Sequence, residues 1–121
     1  MNRVLLTGNL VLDIKPEKTK NGKLVLKNRI AVKDGWNTKY EKTYFINLEA
    51  YGKDNVVKFK EFKKGSLVEV EGKLVVENYK DKNGNWQSYT KVVVFEIRPI
   101  EFRNKNKEIT EEAEVVDWDN L

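Results

Sequence analysis

The stretch TYFINLEAYGKDNVVKFKEFKKGSLVEVEGKL, residues 43–74, contains the change of period that decides the fold. Its first nine residues alternate between apolar and polar positions and predict a strand over Thr43–Tyr51. The apolar repeat then lengthens to three residues, which predicts a short helix over about Asn55–Lys63, and alternation resumes in a strand over about Leu67–Tyr79. The stretch therefore predicts strand, short helix, strand.

Local signals mark the ends of this helix. Asp54 is placed to cap its N-terminus, and Gly65 stands where a C-terminal cap is expected. The apolar repeat of Val56, Phe59 and Phe62 predicts that this face of the helix packs on the core. In the preceding strand the inward positions are Tyr44, Ile46, Leu48 and Ala50, and the outward positions are Phe45, Asn47, Glu49 and Tyr51. Two aromatic rings are thus predicted to point away from the core.

Three further strands flank this stretch. Alternation predicts strands over about Arg3–Leu10, Leu24–Lys33 and Trp86–Ile97, the last ending before Pro99. The Asn-Gly pair at residues 21–22 is typical of a type I′ hairpin turn, and a second Asn-Gly pair at residues 83–84 is predicted to close a second hairpin. On the later strand over 67–79, Val68, Val70, Leu74 and Val76 are predicted to share one face.

Five strands with one short helix after the third predict an all-β OB-fold, a five-stranded Greek-key barrel. An SH3-like barrel is the main alternative, but it normally has no helix at this position. Residues 1–103 form the predicted domain, and residues 104–121 are predicted to be a disordered acidic tail.

Charge is divided unevenly along the chain. Residues 108–121 hold six acids and no base, which leaves 23 bases against 13 acids, a net charge of +10, in residues 1–107. A strongly basic body with exposed aromatic rings suits a single-stranded nucleic acid, because cations attract its phosphates and rings stack on its unpaired bases.

Composition also removes several classes of function. The chain has no Cys and no His, which excludes disulfides, thiolate nucleophiles, imidazole bases and the usual zinc sites. We therefore predict no metal, no cofactor and no enzymatic activity. No window approaches the ~20 apolar residues of a membrane span and no signal peptide is evident, so a cytoplasmic location is expected.

Five segments, in order, resemble the bacterial and phage single-stranded DNA-binding proteins. They are Asn2–Leu10, Lys20–Lys23, Ile30–Trp36, Ala50–Lys53 and Lys63–Leu74. The resemblance covers about residues 2–97. It implies an OB-fold that binds single-stranded DNA without sequence preference during replication, recombination or repair, as a homo-oligomer in which a tetramer is favoured over a dimer. The compact tail and the short chain favour a phage-encoded or accessory member of the family.

The resemblance also assigns stacking aromatics. The family positions correspond to Trp36, Phe45, Tyr51 and Tyr79, and Trp86 is added as a hairpin aromatic without a family counterpart. Strand parity by itself also predicts that the rings of Phe45 and Tyr51 point outward. Each ring has an alternative role, since Phe45 and Tyr51 would also suit a subunit contact and Tyr79 would also close a hairpin.

The predicted phosphate contacts are basic residues on or near this face. Lys27, Arg29 and Lys33 share the outward parity of their strand, beside the outward aromatic residues if the two strands pair. The loop and hairpin candidates that extend this track are Lys39, Lys42, Lys53, Lys80 and Lys82.

The acidic tail has two alternative roles. Asp117, Trp118, Asp119 and Leu121 resemble the family's acidic tip, which recruits replication and repair proteins, although the usual Pro-Phe ending is absent. The alternative is a tail that masks the basic groove. An RNA-binding OB domain and a protein-interaction OB module also stay open as functions, since the sequence does not report on the ribose hydroxyl.

Overall fold

The computed structural model describes residues 1–100. The predicted domain boundary at residues 103 and 104, and the predicted disorder of the tail, lie outside the described residues. Within residues 1–100 no helix is long and apolar enough to cross a membrane.

Strands dominate the described chain. In order the elements are β1 (Val4–Leu10), β2 (Glu17–Lys18), β3 (Leu24–Asp34), β4 (Lys42–Tyr51), α1 (Lys53–Val56), a 3₁₀ turn (Val57–Phe59), β5 (Leu67–Lys80) and β6 (Trp86–Pro99). The predicted order of three long strands, a short helix and two long strands is confirmed. The two-residue β2 was not predicted, and it pairs with the start of β3.

The sheet runs in the order β1-β5-β6-β4-β3-β2, and β1 also pairs with β3. Each of the five long strands therefore has a hydrogen-bonded neighbour on both sides. β4 and β6 pair in parallel, through Leu48 and Val92, whereas the other pairings are antiparallel. This is the connectivity of an OB-fold, in agreement with the sequence prediction.

The inward positions of these strands form one apolar core. Leu26 and Ile30 of β3 and Val68 of β5 are fully buried, as their parity predicts. Phe59 and Phe62 cover the core from the helical segment, which confirms their predicted role. The other buried core residues are Leu10, Leu48, Ala50, Val56, Val70, Val92, Val94 and Ile97.

A glycine allows β5 to approach β6 closely beside a β-bulge. The ladder shifts register between Glu71 and Gly72, and a Cβ atom on Gly72 would lie 2.2 Å from the carbonyl oxygen of Val93, so only glycine fits here. Because Glu71 pairs with Glu96 and Gly72 pairs with Val94, the extra residue of the bulge is Phe95 on β6.

The helical segment is shorter than predicted. It begins after Gly52, whose φ is +83°, and Asp54 makes no capping hydrogen bond, so the predicted cap is wrong. The α-helix ends at Val56, where the chain tightens into the 3₁₀ turn that ends at Phe59. Gly65, at φ +92°, lies instead in a separate turn where its amide donates to the carbonyl of Leu10.

The hairpin predicted at Asn83–Gly84 is confirmed, since this turn joins β5 to β6. The type I′ turn predicted at Asn21–Gly22 is wrong, because Gly22 has positive φ but Asn21 does not. Asp81 explains the second turn, because its carboxylate accepts hydrogen bonds from the amides of Asn83 and Asn85 at 2.9 Å. These bonds stabilise a longer loop than a two-residue turn.

Three residues predicted to face the core are exposed. They are Tyr44 on β4 and Leu74 and Val76 on β5. Their parity is correct, but both hairpins extend beyond the barrel, where residues 1–100 leave that side about half exposed. For example, β4 pairs with β6 only at Leu48 and Glu49, so Tyr44 lies in the part of β4 that precedes this pairing.

Candidate nucleic-acid interface

The β3–β4 ladder places cations beside an exposed ring. Ala31 lies opposite Phe45 and Arg29 lies opposite Asn47, so the odd-numbered residues of both strands share the outward side. The Arg29 guanidinium carbon is 5.2 Å from the centre of the Phe45 ring, which remains 52% exposed. Lys27 and Lys33 are exposed on the same side.

Trp36 extends this surface at the end of β3. A turn holds it, in which Gly35 has φ +70° and its carbonyl accepts hydrogen bonds from the amide and hydroxyl of Thr38. The indole is 66% exposed, and the Lys33 ammonium lies 5.2 Å from its ring. The ring also lines a groove of about 400 Å³ that continues towards Gly8 and Asn9 of β1.

Tyr51 and Tyr79 continue the surface at the other end. Tyr51 is on the outward side of β4, six residues from Phe45 and thus about 20 Å away along the strand. In the β5–β6 hairpin, Tyr79 shares a side with Tyr89 and Lys91, and the Lys91 ammonium lies 2.6 Å from the Tyr51 hydroxyl. Tyr79 therefore faces the same way as Tyr51.

We call this surface the outer face. It comprises Trp36, Phe45, Tyr51 and Tyr79 together with Lys27, Arg29 and Lys33. Exposed rings at intervals beside cations are what an unpaired nucleic-acid strand requires, because its bases stack on the rings while its phosphates meet the cations.

A buried ionic cluster lies beneath Tyr51. Glu49 and Lys91 are only 3% and 5% exposed, although both lie on the outward side of their strands. The Lys91 ammonium contacts a Glu49 oxygen at 3.1 Å and a Glu77 oxygen at 2.8 Å. The Tyr51 hydroxyl donates to Glu49, and the Tyr89 hydroxyl donates to its other oxygen at 3.0 Å.

The cluster keeps its charges at neutral pH. Burial alone would raise the pKa of Glu49, but hydrogen bonds from Tyr51, Lys91 and Tyr89 outweigh it and lower that pKa below its ordinary value of 4.5. Burial would lower the pKa of Lys91, but its bonds to Glu77, Tyr51 and Glu49 raise it. Burial and the nearby Glu49 raise the pKa of both tyrosines, so both hydroxyls stay protonated.

Comparison with known proteins agrees with this geometry. The single-strand binding protein family matches residues 1–100. The chain belongs to this family. A single-stranded DNA-binding protein of Staphylococcus aureus (strain MRSA252) is 34% identical over 110 residues, covering 88% of this chain and 69% of that protein. One of Malacoplasma penetrans (strain HF-2) is 31% identical over 106 residues, covering 88% of this chain and 55% of that protein.

A solved structure shares the fold of this single-strand binding family member. It is the Plasmodium falciparum SSB complex with ssDNA, and it matches with a TM-score of 0.72 at 18% identity over 84% of this chain and 96% of that one. The predicted family and OB-fold are confirmed. The chain spans only about half to two thirds of the length of several curated relatives, 55% for the Malacoplasma protein and 63% for those of Neisseria meningitidis.

The structure does not bring every predicted site residue of this family member onto the outer face. Trp86 pairs with Lys80 across the β5–β6 ladder, on the side opposite Tyr79, and the Lys80 ammonium lies 5.1 Å from the indole. Both are exposed. Sequence spacing could not reveal this, because the side of a hairpin on which a residue lies depends on the register of the pair.

Four other predicted cations lie apart from the central rings. Lys42 pairs with Asp34 on the opposite side of the β3–β4 ladder, and Lys39 is in the loop before it. Lys53 is on α1 at the edge of an apolar pocket of about 510 Å³, and Lys82 is in the hairpin turn after β5. The tail residues Asp117, Trp118, Asp119 and Leu121 lie outside the described residues.

Sequence reasoning missed three residues of interest. Tyr40 is largely exposed, and the Lys39 ammonium lies 5.2 Å from its ring. The sequence signal for this residue is an aromatic side chain within a basic loop. Glu49 was predicted to be an ordinary outward carboxylate, and Lys91 was not considered. Their contact joins positions 42 residues apart, which no local pattern indicates.

Proposed function

We propose that this protein binds single-stranded DNA along the outer face, without sequence preference. Bases would stack on Trp36, Phe45, Tyr51 and Tyr79, while phosphates contact the basic residues of β3. The observation that carries the proposal is the Arg29–Phe45 pair, in which an exposed cation lies 5.2 Å from an exposed ring on the same side of one ladder. Each stacked base would contribute about 1–3 kcal/mol.

Binding by stacking and by ion pairing predicts two separate properties, a preference for single strands over duplex DNA and a dependence of affinity on salt. Unpaired bases are needed for stacking, so duplex DNA should bind far more weakly than a single strand. Phosphate neutralisation releases counterions, so affinity for a single strand should fall with salt by a slope of about −0.7 per contact. Three β3 cations would therefore give a slope near −2, and further cations would steepen it.

The test is fluorescence anisotropy with labelled dT oligomers of increasing length at several salt concentrations. Matched duplex DNA and rU oligomers serve as competitors. The proposal requires tighter binding to dT than to duplex at every salt concentration. Equal binding to duplex would contradict it, and clear preference for rU would favour an RNA-binding function instead.

We propose that the peripheral residues extend the DNA path. Trp86 with Lys80 and Lys82 would continue it around the β5–β6 hairpin, and Lys39, Lys42 and Lys53 would continue it at the ends of β4. This predicts that Trp86→Ala weakens binding of long dT oligomers but not of short ones. Equal loss at all lengths would place Trp86 at the centre of the path instead.

A homo-oligomer is proposed, with a tetramer favoured over a dimer. Leu5 supports it, because this apolar side chain is exposed on the outward side of β1 between the half-buried Val4 and Leu6. Light scattering on the protein alone and with dT gives the mass directly. A monomeric mass at micromolar concentration would contradict the proposal.

The acidic segment over residues 108–121 is proposed to recruit replication and repair proteins through Asp117, Trp118, Asp119 and Leu121. Its concentration of acids beside apolar residues supports this role. A masking role for the basic surface is the alternative. Deletion of residues 108–121 separates them, because only masking predicts tighter DNA binding at low salt after the deletion.

A further inference from the structure

We propose that Lys91 and Glu49 act as positioning residues that hold the Tyr51 ring in the orientation needed to stack a base. This inference rests on the proposed function of the outer face. It concerns the buried pair of Glu49 and Lys91, neither of which presents a charge at the surface. Its role would be to fix the rotamer of Tyr51 before DNA binds, so that binding does not have to order this side chain.

The Tyr51 hydroxyl is held from two directions. It donates to a Glu49 oxygen and accepts from the Lys91 ammonium at 2.6 Å. The same ammonium lies 5.2 Å from the centre of the Tyr51 ring. A half-exposed tyrosine without such contacts would sample several rotamers, and ordering one of them on binding would reduce affinity.

Lys91 is poorly placed to bind phosphate itself. Its ammonium has three protons to donate, and three acceptors lie within hydrogen-bonding distance: Glu49 at 3.1 Å, Glu77 at 2.8 Å and Tyr51 at 2.6 Å. The side chain is also buried. One cation and two carboxylates give the cluster a net negative charge, which does not attract DNA. Support of the ring is therefore the role that the geometry favours.

Tyr89 completes the support from β6. Its hydroxyl donates to the second Glu49 oxygen at 3.0 Å, so both oxygens of the carboxylate are engaged. A carboxylate held on both sides cannot swing away from Tyr51. The cluster thus couples β4, which carries the ring, to β5 and β6.

The closing experiment compares two tyrosines of the same strand. Tyr51→Phe and Tyr44→Phe each remove one hydroxyl and keep the ring, but Tyr44 lies on the opposite side of β4 from the outer face and does not belong to the cluster. We expect Tyr51→Phe to weaken binding to dT oligomers about three- to tenfold, the range for one or two net hydrogen bonds, with Tyr44→Phe unchanged. The salt slope should be the same in both variants.

Tyr51→Ala separates this inference from the proposed function. If alanine weakens binding and phenylalanine does not, the ring stacks without help from the cluster, and the positioning role is overturned while the proposed function stands. If alanine also leaves binding unchanged, Tyr51 does not contact DNA, and both its stacking role and the positioning role are overturned.

A second variant tests the charged pair without leaving one buried charge alone. Glu49→Gln combined with Lys91→Met removes both charges. The two substitutions are combined because Lys91→Met by itself would leave the Glu49 carboxylate buried without its cation and would endanger folding. We expect this pair to weaken binding when Tyr51 is present and to add little when Tyr51→Phe is already made. Additive losses, or a salt slope reduced by about 0.7, would show that Lys91 contacts phosphate directly and overturn the proposal.

Discussion

Phe45→Ala is the sharpest test of stacking on the outer face. The ring is 52% exposed and lies beside Arg29, which alanine does not alter. Removing the ring therefore deletes a stacking surface while leaving the neighbouring cation in place. We expect weaker binding to single-stranded DNA with an unchanged dependence on salt.

The magnitude follows from the geometry. Loss of one stacked base costs about 1–3 kcal/mol, which is roughly a 5- to 150-fold weaker affinity. The cost to folding should be smaller, because only about half of the ring is buried and full burial of a phenylalanine contributes about 3 kcal/mol at most. A stability loss near 1 kcal/mol leaves the variant folded at room temperature.

The assay is anisotropy with a labelled dT oligomer at four salt concentrations, together with urea unfolding. Tyr44→Ala is the matched control, because Tyr44 is the adjacent ring, is 49% exposed and lies on the opposite side of the same strand. Equal loss of affinity in the two variants would refute the assignment of the outer face. A changed salt slope for Phe45→Ala would show that the ring acts through Arg29 rather than through a base.

Three further outcomes are expected. Arg29→Gln should reduce the slope of log affinity against log salt by about 0.7 in the dT titration, whereas an unchanged slope would remove Arg29 from the phosphate contacts. Because the pKa of Glu49 is lowered, its contribution to stability is present above its ordinary value of 4.5 and is lost as the pH falls through the folded value. The urea midpoints of the wild type and Glu49→Gln should therefore converge in acid, and a constant gap would refute this. Gly72→Ala should lower the free energy of unfolding by about 1–3 kcal/mol or more, since its Cβ would lie 2.2 Å from the Val93 carbonyl oxygen; an unchanged thermal midpoint would contradict the close approach.

Sequence patterns predicted the parts of the fold that depend on short-range order. Alternation in residues 43–51 placed Phe45 and Tyr51 outward and Leu48 inward, as the structure shows. Parity is decided within one strand, so no knowledge of its neighbours is needed. The helical repeat likewise identified Phe59 and Phe62 as core residues.

The errors in exposure and in strand side share one physical cause. Tyr44, Leu74 and Val76 have inward parity but lie where a hairpin extends beyond the barrel, and parity does not report what covers a side. The family resemblance assigns stacking to Tyr79, and Trp86 is added as an aromatic of the same hairpin, yet the pairing register places the two rings on opposite sides. These properties depend on which strands pair and how far they extend, which local periodicity does not encode.

The two ends of the outer face should respond differently to solvent conditions. At the Phe45 end Arg29 and Lys33 are exposed, so their interaction with phosphate is screened by salt. At the Tyr51 end Lys91 is buried among carboxylates, so its effect on the ring is largely protected from screening. Raising the salt concentration should therefore weaken the contribution of Arg29 while the contribution of the Tyr51 hydroxyl persists. A salt titration of Arg29→Gln and Tyr51→Phe can therefore separate the ion pairing of Arg29 from the support that the Tyr51 hydroxyl gives to stacking.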